Sequence, residues 1–251
     1  MIRKGTNCSV SGGKYERDIA VICRLLHSPY MNIPLCTQTD EELGGSGAGI
    51  DIRLNWQAVR DIGIEVKRPT PDWMQMSLKQ NETGSWVGSK KAKIPKEAQR
   101  IFEDIIGSTE LYEGKTPPFL LRKLKYSDWV AIKSASPEFK DDVYIKCPSN
   151  TIARLYKEKG CQYIQISGKG LYHTGEDTCR FGVPFFCCDQ RIRIRIKVHH
   201  ESDRHGFASL SITAAAQPTT LSSLDTSLYS LDSSNKLPII LPASTSAVKV
   251  P

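Results

Sequence analysis

The segment at residues 49–69, GIDIRLNWQAVRDIGIEVKRP, constrains this chain more than any other. Ile50, Ile52 and Leu54 alternate with Asp51, Arg53 and Asn55, and further on Ile62, Ile64 and Val66 alternate with Gly63, Glu65 and Lys67. Side chains change face at every residue of a strand, so each arm has one apolar and one polar face. A turn near Ala58 to Arg60 folds the arms into a hairpin whose paired positions have numbers summing to about 116 to 118. Asp51 then lies opposite Glu65 or Lys67, and all three share the polar face.

Two carboxylates held a few ångströms apart repel one another unless a cation sits between them. Oxygen donors of this kind suit Mg²⁺ (or Mn²⁺), and the ammonium of Lys67 would stand beside such an ion, placed to orient or deprotonate a water or to stabilise a phosphoryl oxygen. Asp51, thirteen intervening residues and then Glu65-Val66-Lys67 on a second strand resemble the PD-(D/E)xK, or restriction-endonuclease-like, nuclease superfamily. That resemblance implies a central mixed β-sheet flanked by helices, and metal-dependent hydrolysis of DNA phosphodiesters. It implies that Asp51 and Glu65 bind the metal and that Lys67 assists the water. Many members carry a further acid on the helix before the hairpin, and Glu16 stands in the matching place. The resemblance covers residues 14–70; Ile50 stands where the family pattern has Pro. Without it, the segment reads as a surface hairpin carrying an ordinary Glu65–Lys67 pair.

Elsewhere the apolar periodicity predicts helices at residues 14–27, 95–106 and 152–159, and strands at 120–134, 163–167, 191–199 and 207–213. The class is therefore α/β. Residues 213–251 are rich in Ser, Thr, Ala and Pro, which divides the chain into a nuclease-like domain at 1–212 and a disordered tail at 213–251.

The formal charge is +7, from 34 Lys and Arg against 27 Asp and Glu, and the neutral last 44 residues leave all of it on the body. A basic body favours anionic partners. Candidate DNA-binding residues are Lys90, Lys91 and Lys93 in a polar loop, and Arg191, Arg193 and Arg195 on one strand face. The nuclease resemblance implies that a strand next to the hairpin supplies polar or basic residues to the scissile phosphate, for which Gln165 and Lys169 are the candidates. Cutting both strands of a duplex calls for two active sites, hence a possible homodimer.

No apolar run approaches the ~20 residues that cross a bilayer, and no leader-like apolar region opens the chain, so no membrane partner is expected. Eight cysteines without a CxxC fit reduced thiols in a cytoplasmic or nuclear compartment. Two other function classes stand beside the nuclease. One is a non-catalytic nucleic-acid-binding protein. The other is a zinc-stabilised interaction module drawing on His173, Cys179, Cys187, Cys188, His199, His200 and His205.

Overall fold

The computed structural model describes residues 4–25, 36–38, 49–56, 59–69 and 72–232. Their elements are α1 (Lys4–Leu25), β1 (Cys36–Gln38), β2 (Ile52–Trp56), β3 (Val59–Lys67), β4 (Gln75–Gln80), β5 (Trp86–Gly88), α2 (Lys96–Gly107) and α3 (Tyr126–Ala135). There follow β6 (Val143–Cys147), α4 (Thr151–Glu158), β7 (Cys161–Ile166), β8 (Gly170–His173), β9 (Gln190–His200) and β10 (Ser209–Pro218). The strands form two five-stranded sheets, ordered β1-β2-β3-β7-β8 and β5-β4-β10-β9-β6. The class is α/β. The first sheet is mixed, because β3 and β7 run parallel while its other pairs are antiparallel. The second is antiparallel throughout.

The hairpin forms as the alternation requires. Ile52 pairs with Ile64, Arg53 with Gly63 and Leu54 with Ile62. Ile52, Ile62, Ile64 and Val66 then point to one side of the first sheet, where Ile19, Ala20 and Cys23 of α1 bury them. Those three α1 residues recur at the three- and four-residue steps of one helix face. On the opposite side Ile164 and Ile166 of β7 join Met76, Ile192 and Ile212 of the second sheet in a larger core, with Phe102 of α2 and Tyr156 of α4 between them. The two sheets thus share one interior.

Three expectations change. Residues 120–134 are not a strand: a 3-10 turn at Pro118–Leu120 is followed by α3. Trp129 is buried there, with Tyr126 and Ile132 packed against the same core, a three-residue spacing that belongs to a helix and not to alternation. The expectation of a single central sheet gives way to two, because β4, β5 and β6 are short strands lying between the helices that periodicity did pick out. The segment read as a tail is, as far as Asp232, part of the body. Thr213 to Gln217 are buried in β10, and Ser227, Ser230 and Leu231 are buried further on. Residues 233–251 lie outside the described residues, as does Ala58 of the expected turn. Among the described residues no helix is long and apolar enough to cross a membrane.

Candidate functional site

Asp51 immediately precedes β2, and the register that pairs Ile52 with Ile64 sets it across from Glu65. Its Oδ2 accepts a hydrogen bond from the Val66 amide at 2.8 Å, which fixes the carboxylate against β3. Glu65 and Lys67 point to the side of the sheet away from α1, into the layer that holds α4. Glu65 is only 2% exposed, so the pair is no surface decoration. The Lys67 ammonium lies 2.5 Å from Glu65 Oε1 and 3.8 Å from Asp51 Oδ2. Both acids therefore converge on one cation.

α4 and the turn after it complete the cluster with residues that sequence reasoning passed over. Lys159 donates to Glu65 Oε2 at 2.6 Å, and the Cys161 thiol reaches the same oxygen at 3.6 Å. The ring of Tyr156 lies under both ammonium groups, at 5.6 Å from Lys67 and 5.9 Å from Lys159. Its buried hydroxyl has no hydrogen-bond partner among the described residues. The only signal in the sequence was Tyr156 and Lys159 standing three apart at the end of a predicted helix. Glu16 sits on the stripe of α1 that carries Ile19, Ala20 and Cys23, and its charge acts on Asp51.

Charge is unevenly shared within the cluster. Burial, then the charge of Glu65, push the Asp51 carboxyl up to about 7. Burial also opposes ionisation of Glu65, but Lys67 and Lys159 outweigh it and hold Glu65 below the usual carboxylate range. For Lys67, burial disfavours the ammonium, and the charge of Glu65 more than restores it, leaving the pKa well above that of a free lysine. At neutral pH the cluster holds two full cations, one full anion and a half-ionised Asp51.

The donor set suits a hard divalent cation. Asp51 Oδ2 and Glu65 Oε1 each reach Lys67 Nζ, so they are separated by no more than those two lengths combined. That is inside the roughly 8 Å across which side-chain rotation and ~2.1 Å bonds let two carboxylates share one Mg²⁺. Lys67 would have to yield its place between them. Among the described residues no three His, Cys, Asp or Glu side chains gather as a metal cage. Mg²⁺ commonly makes do with one or two carboxylates, with waters or phosphate oxygens filling the remaining positions.

The other candidates fall elsewhere. Gln165 pairs with Val66 on the α1 side of the sheet and is fully buried. It accepts the Leu231 amide at 2.9 Å and donates to Ser230 Oγ at 3.0 Å, so it anchors the chain's own later segment and cannot meet a phosphate. Lys169 is likewise engaged, with its ammonium on the carbonyls of Ser222 and Leu224 at 3.2 and 2.6 Å. Lys90, Lys91 and Lys93 are exposed in the loop leaving β5 of the second sheet. On β9, Arg193 pairs with Asp142 and Asp72 at 2.6 and 3.4 Å, and Arg195 with Asp72 at 3.2 Å. Arg191 lies over the Tyr144 ring at 3.9 Å. The histidines and cysteines of the second half do not assemble. His173 packs on Phe185, Cys179 lies beside Tyr163, and His199 bonds Ser211 on the second sheet. In comparisons with protein-family models, curated proteins and solved structures, nothing matches this chain.

Proposed function

We propose that this chain is a Mg²⁺- or Mn²⁺-dependent nuclease that hydrolyses DNA phosphodiester bonds, with the first sheet, α1 and α4 as a restriction-endonuclease-like core. One observation carries the reading: Asp51 and Lys67 meet around buried Glu65 on a hairpin of matching register. The mixed sheet, with α1 on one side and α4 on the other, supports it.

Asp51 and Glu65 would hold the ion, with Glu16 close enough to tune it; the ion would supply charge stabilisation at the phosphoryl group and a more acidic water. The chain's own residues do the rest. Lys67 is a cation throughout the neutral range, so it donates hydrogen bonds to the attacking water or to a phosphoryl oxygen and does not remove the water's proton. Lys159 keeps Glu65 ionised and turned toward Lys67. Tyr156 closes the site from below with an apolar ring, which lowers the local dielectric and strengthens both charges.

Plasmid nicking tests this directly. Cutting is expected with Mg²⁺, is expected to stop in EDTA, and should fall at least about a hundredfold in Glu65→Ala and Lys67→Ala. A readout besides activity is the melting temperature, which Mg²⁺ should raise in the wild type and not in Glu65→Ala. Equal nicking by wild type and both variants would overturn the reading. A second reading, non-catalytic binding of nucleic acid, is favoured by one fact: ammonium groups hold both oxygens of Glu65. Binding without cutting at any divalent metal would select it.

A further inference from the structure

The second sheet has two unlike faces. One is buried: Met76, Leu78, Ile192 and Ile212 lie under α2 and α4. On the other the strand register sets Lys146 beside Arg191, Tyr144 beside Arg193, and Lys197 two residues beyond Arg195. Lys79 of β4 joins the same face, two positions along from Ser77, which pairs with Thr213 next to Arg195. Asp72 and Asp142 neutralise the two central arginines. Among the described residues no carboxylate lies within ion-pair distance of Lys79, Lys146, Arg191 or Lys197. The three lysines are exposed. The face therefore stays strongly positive after its internal pairing is complete.

Like charges in neighbouring positions of a sheet destabilise it, so a surface built this way is suited to an anion from outside. Same-face residues of one strand recur every ~6.7 Å, and adjacent strands lie ~4.8 Å apart. The longer repeat is close to the spacing of successive phosphates in an extended nucleic-acid strand. Tyr144 is 49% exposed and backed by the Arg191 guanidinium, a flat rigid pair of the size of a base. Such pairs stack on any base without reading its identity.

We propose that this charged face of the second sheet docks a single-stranded polynucleotide, with phosphates along Lys79, Lys146, Arg191 and Lys197 and a base stacked at Tyr144. The choice of partner rests on the phosphodiester reading of the Asp51–Glu65–Lys67 cluster. The surface lies on the other sheet and is tested without turnover. Fluorescence anisotropy of a labelled oligonucleotide of about 25 nucleotides, in EDTA over a range of salt, compares wild type with Lys79→Glu/Lys146→Glu/Lys197→Glu and with Tyr144→Ala. The triple variant should bind at least about tenfold more weakly, with the slope of log K against log salt flatter by about two, as expected for three lost phosphate contacts. Tyr144→Ala should weaken single-strand binding about fivefold or more and leave duplex binding unchanged.

Unchanged affinity in the triple variant overturns the proposal. So does equally tight binding of polyglutamate or phosphatidylserine vesicles, or a duplex bound as tightly as the single strand. Circular dichroism melts check that each variant folds, and the Lys→Gln triple carries the same test should charge reversal unfold the chain. Oligonucleotide binding without Mg²⁺-dependent nicking would remove the hydrolase reading and leave this surface standing. Nicking combined with a triple variant of unaltered affinity would do the reverse.

Discussion

Asp51 is the most strained charge in the cluster. It is half-buried, it faces Glu65, and it has only partial relief from Lys67 at 3.8 Å. Its folded pKa of about 7 stands above the ~3.9 of an unfolded chain. Between those values the folded protein holds a proton that the unfolded chain has released, so stability falls as pH rises through this window and is level above it. Glu65 works in the opposite sense. Its folded pKa is depressed, so its contribution is present above the unfolded value and is lost only as pH falls through the lower folded one. The two windows overlap only at about pH 4, so the range from about pH 5 to 8 separates Asp51 from Glu65. Asp51→Asn keeps an oxygen for the Val66 amide and removes the half-buried charge. It should stabilise the metal-free protein by on the order of 1–2 kcal/mol near pH 8 and by much less near pH 5. Thermal melts at the two pH values check this, and parallel pH profiles for variant and wild type would contradict it. The same residues show what a sequence can disclose. Asp51, Glu65 and Lys67 were legible because they lie within one hairpin, where alternation fixes facing. Lys159 meets Glu65 from 94 positions away, a distance across which no local pattern carries information.

That long-range meeting depends on how two elements approach. β3 and β7 run parallel, and at the start of their contact a Cβ on Gly63 would lie 2.3 Å from the carbonyl oxygen of Gly160. Gly160 itself has φ of +89°, the left-handed conformation that turns the chain from α4 into β7. With Gly63 bare, the turn settles against β3, and Lys159, the residue before Gly160, reaches Glu65. Both atoms in that contact are constrained, one by the strand ladder and the other by the helix end, so neither can give way cheaply. Gly63→Ala should therefore destabilise the protein by about 2 kcal/mol or more, near the upper range for overpacking. It should also separate Lys159 from Glu65, so that the loss exceeds that of Lys159→Ala alone. Urea unfolding of the two variants measures the difference, and a Gly63→Ala midpoint equal to the wild type would refute the argument. The sequence displayed this glycine as an interruption in an apolar–polar alternation without showing what it must admit. Alternation also misled at α3, where Trp129 and its aromatic neighbours mimic a strand, while β5, three residues long, is too short for any period to register.

At the scale of the molecule, the segment after β10 is what closes the chain upon itself. It leaves the second sheet, passes Leu221–Ser223, and lays Ser227 to Asp232 along β7 and β8 of the first. The Leu171 amide donates to the Tyr229 carbonyl, and the Ser227 amide to that of Lys169, each at 2.8 Å. Its end meets the beginning of the chain where the Tyr15 hydroxyl donates to Asp232. Composition concealed this, because a Ser- and Thr-rich stretch with few apolar residues looks unable to offset its ordering entropy. Its anchoring is polar and comes from the partner: buried Gln165 binds Ser230 and Leu231, and also donates to Tyr15 at 3.2 Å. One amide side chain thus joins α1, β7 and the strap. With one core shared by both sheets and this strap across them, the molecule should unfold in a single transition, coincident by circular dichroism and tryptophan fluorescence. Gln165→Leu fills the same space but leaves the Leu231 amide unpaired, which should cost about 2 kcal/mol. It should also raise amide exchange across residues 227–232 well above that of β9 and β10. Hydrogen-exchange mass spectrometry reads that contrast: selective loss of protection in the strap marks Gln165 as its anchor, whereas uniform loss over both sheets would show that the strap holds by its backbone contacts alone.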